Sequence, residues 1–195
     1  MIARYIILII FLTLPLQAHA GKPLDTVQVQ VEKILDILRD PGLKAKSAEE
    51  VKKDRIWEII GTVFDYNELS RRALGRNWKK LDASQQKEFT DLFSRLLGNI
   101  YLGRIIAYTD EKVVFDKEKM LAEDKAEVQS RIVTASKEIP LNYRLILKGG
   151  EWRVYDVAVE GISLVRNYRT QFRDIFKKKS PEDLLEMLRK KVAKL

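Results

Sequence analysis

The stretch that decides the reading runs from residue 152 to residue 172, WRVYDVAVEGISLVRNYRTQF. Its first half alternates as a half-buried strand does. Trp152, Val154 and Asp156 are expected on one face, and Arg153, Tyr155, Val157 and Val159 on the other. Glu160-Gly161 breaks the alternation, and the apolar spacing then turns helical, with Val165, Tyr168, Phe172 and Phe176 three or four residues apart. A β-branched strand feeding an aromatic helix supplies a wall and a floor for an apolar pocket.

Working outward, Gly149-Gly150 reads as a tight hairpin joining strands 139–148 and 151–159. Leu141, Tyr143, Leu145 and Leu147 share one face of the first strand, and Val157 and Val159 extend that face onto the second. Shorter strands are expected at 113–115 and 127–135. Helices are expected at 25–39, from Ser47 to about Val63, and at 68–74, 83–107, 162–178 and 181–193. Pro41-Gly42 stops the first, and Ser47-Ala48-Glu49-Glu50 opens the second as a capping box. Gly75 closes the third, Asp82 with Gln85 starts the fourth, and Ser180-Pro181 starts the last. Helices, then an antiparallel meander, then helices again make an α+β fold: a curved sheet of about four strands wrapped by helices.

The N-terminus carries an address. Arg4 precedes an apolar run from Tyr5 to Leu16, and Ala18-His19-Ala20 is a small-x-small cleavage pattern. The run is shorter than the ~20 residues of a membrane span, and no cysteine follows it for a lipid anchor. A signal peptide cleaved after Ala20 is therefore expected, followed by a single exported domain over 21–195, with no internal repeat and no linker.

That cleavage removes His19, the one histidine, and the chain has no cysteine. A Ser-His-Asp triad, a cysteine nucleophile, a Cys/His zinc site and a haem histidine are all excluded from residues 21–195. No phosphate loop and no G-x-S-x-G elbow is present either. No catalytic residue, metal or cofactor is expected. With 46% apolar and 33% charged residues the composition is globular. The net charge is +8, and residues 166–195 hold ten basic against four acidic side chains. In an exported protein such a charge meets anionic lipid headgroups rather than nucleic acid, although a run such as Lys177-Lys178-Lys179 is equally the pattern of a solvated helix end.

The 152–172 block resembles the signature of the MlaC family of periplasmic phospholipid carriers, also called the toluene-tolerance or auxiliary ABC-transporter family. The resemblance extends through Phe64-Asp65-Tyr66, through Ser70 to Gly75 with Trp78, and through Phe89, Leu92, Phe93, Leu96, Leu97 and Tyr101. It continues in Ile139-Pro140-Leu141-Asn142-Tyr143-Arg144. Between residues 21 and 60 only the helical character matches.

The resemblance implies helices packed on a curved sheet, comparable to nuclear-transport-factor-like folds, around a hydrophobic lipid pocket. The expected lining is Phe93, Leu97, Ile100, Tyr101, Val165, Tyr168 and Phe172 from the helices, and Leu141, Tyr143, Leu145, Val157 and Val159 from the strands. Gly98 and Gly103 within the long helix leave room for an acyl chain or for close packing. Trp78 and Trp152 are read as a buried aromatic anchor pair, and Arg169 and Gln171 as a polar link from helix to sheet. The implied activity is carriage of phospholipid across the periplasm, with no chemistry, as a monomer that touches membrane surfaces transiently. Its implied partners are the inner-membrane Mla ABC transporter complex and the outer-membrane Mla lipoprotein complex. The alternatives are a carrier of another lipid, such as a hopanoid, and an enzyme with a small isomerase-like pocket.

Overall fold

The computed structural model describes residues 22–107 and 111–194, so the leader and its cleavage pattern lie outside the described residues. Two pairs of positive-φ residues fold the C-terminal half. Gly149 and Gly150 (φ 58° and 84°) close one hairpin, and Glu160 and Gly161 (φ 50° and 80°) close the next. Positive φ at both central residues matches the right-handed twist of the strands that such two-residue turns join. Strands β1 (Lys112–Ala122), β2 (Lys125–Val133), β3 (Glu138–Lys148), β4 (Glu151–Val159) and β5 (Ile162–Ser163) pair antiparallel, in chain order, as one sheet. The α+β expectation holds, with a short fifth strand where the sequence suggested the start of a helix.

Register shifts on β1 and between β3 and β4 separate this sheet from the pattern read along the chain. On β3 and β4, Arg144 pairs with Asp156 but Leu145 pairs with Val154, which leaves Tyr155 as an extra residue. The extra residue shifts the alternation by one, so Trp152 and Val154 join Val157 and Val159 on the face of Leu141, Tyr143, Leu145 and Leu147. The expected split of β4 is thereby corrected: Asp156 points away from Trp152 and Val154, not with them. On β1 a register shift between Phe115 and Lys117 similarly breaks the alternation. Together with the edge charges Lys112, Lys117 and Lys119, it concealed an eleven-residue strand as a three-residue one.

The helices are α1 (Pro23–Arg39), α2 (Glu49–Val63), α3 (Tyr66–Leu74), α4 (Ala83–Ile106), α5 (Leu164–Ile175) and α6 (Pro181–Val192). Asp82 and Gln85 form the expected capping box on α4, and Ser180 forms one with Asp183 on α6. The box expected at Ser47 does not form. A single 3₁₀ turn, Lys46–Ala48, runs directly into α2, whose N-cap is Ala48.

The buried side chains form two cores. One is helical, built by α3, α4, α5 and α6 around Phe89, Phe93, Leu96, Phe172, Leu184 and Leu185. The other lies on one face of the sheet, where Val27 of α1 and Val63 of α2 cover Ala126, Val128, Tyr143, Leu145, Trp152, Val154 and Val157. Phe64, between α2 and α3, packs against both. Trp152 belongs to the sheet core while Trp78 packs, half-buried, against the helical one, so the two tryptophans are not a pair.

Candidate functional site

Each candidate residue is held by backbone arrangements that its local sequence dictates. In the helical group, Phe93 sits edge-on to Tyr168 and Phe172, with ring centroids 4.8 and 5.2 Å apart, and Phe89 stands 5.3 Å from Phe172. Offset and edge-to-face contacts at this spacing are the favoured aromatic geometry. Phe93, Leu97, Val165, Tyr168 and Phe172 fill the helical core, and Ile100 and Tyr101 pack half-buried at its margin. These seven do not share a core with the strand residues.

The strand residues line the other core, and their burial changes along the sheet. Leu145, Val128 and Ala126 are fully buried, and Tyr143, Val157, Val154 and Trp152 lie beside them. Toward the other end the register carries Val113, Ile132 and Ile139 across one row, and Phe115, Ser130, Leu141 and Val159 across the next. All the apolar members of those rows are half-buried. The result is a continuous apolar surface, most deeply buried around Leu145, Val128 and Val154 and half-open toward the Glu160-Gly161 end.

The polar groups on this face are few and occupied. The Ser130 hydroxyl donates to the Leu141 carbonyl at 2.7 Å. Glu118 accepts from the Leu24 backbone N–H at 2.7 Å, satisfying a free donor at the start of α1. Burial pushes the Tyr143 phenol well above its ordinary value, against a smaller opposing effect of its hydrogen bond with Ser130, so it remains neutral.

The polar signature residues of the 152–172 stretch are architectural. Asp156, 2% exposed, accepts from the Ser163 hydroxyl at 2.6 Å and from the Val165 N–H at 3.0 Å. Ser163 in turn accepts from the Arg166 N–H, so the pair caps α5 where it leaves the sheet. Arg169 donates to the Arg72 carbonyl, linking α5 to α3 rather than to the sheet, and Gln171 bonds only within its own helix. In the 64–66 turn, the Asp65 N–H donates to the Val154 carbonyl at 2.8 Å, and its carboxylate caps α3 through the Glu68 N–H. Glu68, 3% exposed, is the other buried carboxylate among the described residues. Burial alone would raise its pKa, but hydrogen bonds and charge from Arg71 and Arg72 outweigh that and hold it down to about 2. A carboxylate fixed in this way is not available as a proton donor near neutral pH.

Gly98 serves helix packing. A Cβ there would lie 2.7 Å from the ring of Trp57 on α2, so the glycine admits that indole against α4. Gly103 faces open space. A surface recess of about 520 Å³ between α3 and α4, lined by Tyr66, Trp78, Gln86, Thr90 and Ser94, contains none of the candidate residues.

The model of the family described as MlaC protein matches residues 28–190. The chain belongs to the MlaC family. It is similar to the toluene tolerance protein ttg2D of Pseudomonas putida, 27% identical over 176 residues that cover 89% of this chain and 82% of that protein. It is also similar to the intermembrane phospholipid transport system binding protein MlaC of Haemophilus influenzae, 25% identical over 119 residues, 58% of this chain and 56% of that one. Its fold is that of a phospholipid-binding protein from Ralstonia solanacearum, solved in complex with a phospholipid. The TM-score is 0.77 at 24% identity, over 89% of this chain and 98% of that one.

Reading the sequence alone missed Phe115, Val128, Trp152, Val154 and Phe64 as parts of the apolar face. The alternation of Ala126, Val128, Ser130 and Ile132 was available on β2 as a signal. For Trp152 and Val154 no local signal existed, because the bulge at Tyr155 is a property of the strand pair.

Proposed function

We propose that the chain is a periplasmic phospholipid carrier, exported by cleavage of its leader after Ala20, that moves lipid between the inner- and outer-membrane Mla complexes without chemistry. What supports the reading is the half-open apolar surface of Val113, Phe115, Ile132, Ile139, Leu141 and Val159 in a chain of this family. The Haemophilus relative is named for phospholipid transport, and the Ralstonia protein of the same fold holds a phospholipid.

The energetics fit that role. A diacyl lipid exposes on the order of 30 methylenes, and at ~0.8 kcal/mol each its hydration would cost more than 20 kcal/mol. A carrier must therefore replace nearly all the bilayer contacts. The acyl chains enter at the half-open end, over Leu141 and Val159, and advance toward Tyr143, Leu145 and Val157. Since the deeper rows around Leu145 are closed, loading displaces the covering helices α1 and α2, and Phe64, which touches both cores, is the joint about which the sheet side yields. The helical core, closed by its own aromatic contacts, acts as the scaffold.

Purification of the exported protein without denaturant, followed by native mass spectrometry and solvent extraction, tests this. Stoichiometric glycerophospholipid is expected. A polycyclic lipid such as a hopanoid in its place would redirect the proposal to the other cargo. Protein that carries no lipid and takes none from vesicles would overturn it.

A further inference from the structure

The positive charge of the C-terminal third does not spread evenly once the chain is folded. On α6, Arg189 pairs with Glu88 and Glu182, and Lys190 pairs with Glu186. On α5 the exposed residues Arg166, Arg169 and Arg173 recur at helical spacing along one face, and Lys177, Lys178 and Lys179 follow just beyond its end. Asp174 pairs with Lys177 at 2.7 Å and lies 3.8 Å from Arg173.

The fold adds charge that the linear tail does not contain. Lys80 stands 5.3 Å from the Phe176 ring, bringing the Lys79-Lys80 pair of the 75–80 turn against the end of α5. Arg169 lies against Gly75 of the same turn. The opposite end of α5 begins at Ser163, directly after Ile162, which at 65% exposed is the most exposed large apolar side chain among the described residues. Ile162 pairs with Val159 at the half-open end of the apolar sheet face.

Resting on the carrier reading above, we infer that the outer face of α5 is the surface on which this protein lies against an anionic bilayer. The row from Arg166 to Lys179, flanked by Lys79 and Lys80, supplies the attraction, and Ile162 marks the end at which the lipid path opens. The row is about 20 Å long at 1.5 Å per residue, enough to span several headgroups. Its chemistry favours a membrane over a protein. Arginine suits either kind of partner, but lysine is depleted in the centres of protein interfaces, where aromatic anchors dominate, and no large aromatic side chain on this face is exposed. A polybasic surface needs no such anchor to hold anionic lipid, gaining about 1 kcal/mol for each nearby Lys or Arg.

The test is co-flotation of the mature protein with vesicles of phosphatidylcholine alone or mixed with phosphatidylglycerol, at low and high salt. Wild-type protein is expected to bind the mixed vesicles, to lose that binding as salt rises, and to ignore the neutral ones. The variant Arg166→Gln/Arg173→Gln/Lys178→Gln/Lys179→Gln should lose about tenfold or more in binding. A control with the same net charge, Lys33→Gln/Lys44→Gln/Lys46→Gln/Lys117→Gln, should keep most of it. An equal loss in both variants would reduce the effect to net charge and overturn the assignment. Wild-type protein that binds neither vesicle would also overturn it, leaving α5 as a surface for an acidic protein. Lipid occupancy, read separately by native mass spectrometry, distinguishes a failure of this docking surface from a failure of the carrier reading.

Discussion

The two cores are both built from apolar side chains but closed in different ways. In the helical core Phe89, Phe93, Tyr168 and Phe172 interlock as rings 4.8 to 5.7 Å apart, and α4, α5 and α6 bury Leu96, Leu184 and Leu185 around them. The sheet core is a graded surface, fully buried at Leu145 and half-buried at Leu141 and Val159, two strand rows away. A closed aromatic cluster resists change of volume, as close-packed interiors do. A graded aliphatic face under two helices can exchange protein contacts for acyl chains. The contrast separates scaffold from binding surface, although the sequence assigns apolar stripes of the same kind to both.

Replacement of Leu145 by Asp should have the largest effect. It places an unpaired charge on the closed part of the sheet face, where burial without a partner is prohibitive. Any folded fraction, measured by circular dichroism and size exclusion, should carry no lipid on extraction. Folded Leu145→Asp protein with normal lipid content would remove the sheet face from the path.

Phe93→Ala should cost about 3–5 kcal/mol in urea unfolding, as large-to-small changes in tight aromatic cores do. The protein that remains folded should still load lipid. Loss of lipid at unchanged stability would reverse the roles of the two cores.

How much of this contrast could be read from the chain depended on whether the determining contacts were local. The faces of β2 and β3, the Gly149-Gly150 turn and the caps at Asp82 and Ser180 are set by residues a few positions apart, and all of them are legible. The phase of β4 is not, because the bulge that turns Trp152 and Val154 inward is defined against β3, while Asp156 is engaged by Ser163 and Val165. The length of β1 was hidden by its own register shifts and by the charges that protect a sheet edge. The division of Phe93 and Leu145 into separate cores has no sequence signal, because an apolar stripe does not name the surface it meets. The same holds for Gly98, whose partner Trp57 lies on another helix.

Gly98→Ala is the next step down in magnitude. Its new methyl would meet the Trp57 ring at 2.7 Å, and forcing the indole aside should cost about 1–3 kcal/mol as a lowered urea midpoint. A neutral or stabilising result would mean that α2 is already free to move from α4.

The Glu68 carboxylate predicts an acid limb of stability. Its folded pKa of about 2 lies below the unfolded value of about 4.3. The stabilisation is therefore complete above the unfolded value and is lost as pH falls from there through the folded one. Urea midpoints should decline between about pH 5 and pH 2, and Glu68→Gln should flatten that decline while lowering stability at neutral pH. An unchanged acid limb in the variant would assign it to other carboxylates.

Leu141→Ala should change stability least, about 1 kcal/mol for a side chain only half removed from water, yet weaken lipid retention in exchange with acceptor vesicles. A stability loss as large as that of Phe93→Ala, or lipid retention left unchanged, would erase the difference between a half-open and a closed surface.

The central claim is that acyl chains lie on the graded sheet face. It is tested most directly by loading the protein with a phospholipid carrying a diazirine near the end of one acyl chain, irradiating it, and mapping the adducts by peptide mass spectrometry. The account predicts adducts on β3 and β4, at Leu141, Tyr143, Leu145, Val157 and Val159, and on the facing residues of α1. Adducts confined to Phe93, Leu97 and the neighbouring residues of α4, α5 and α6 would contradict it.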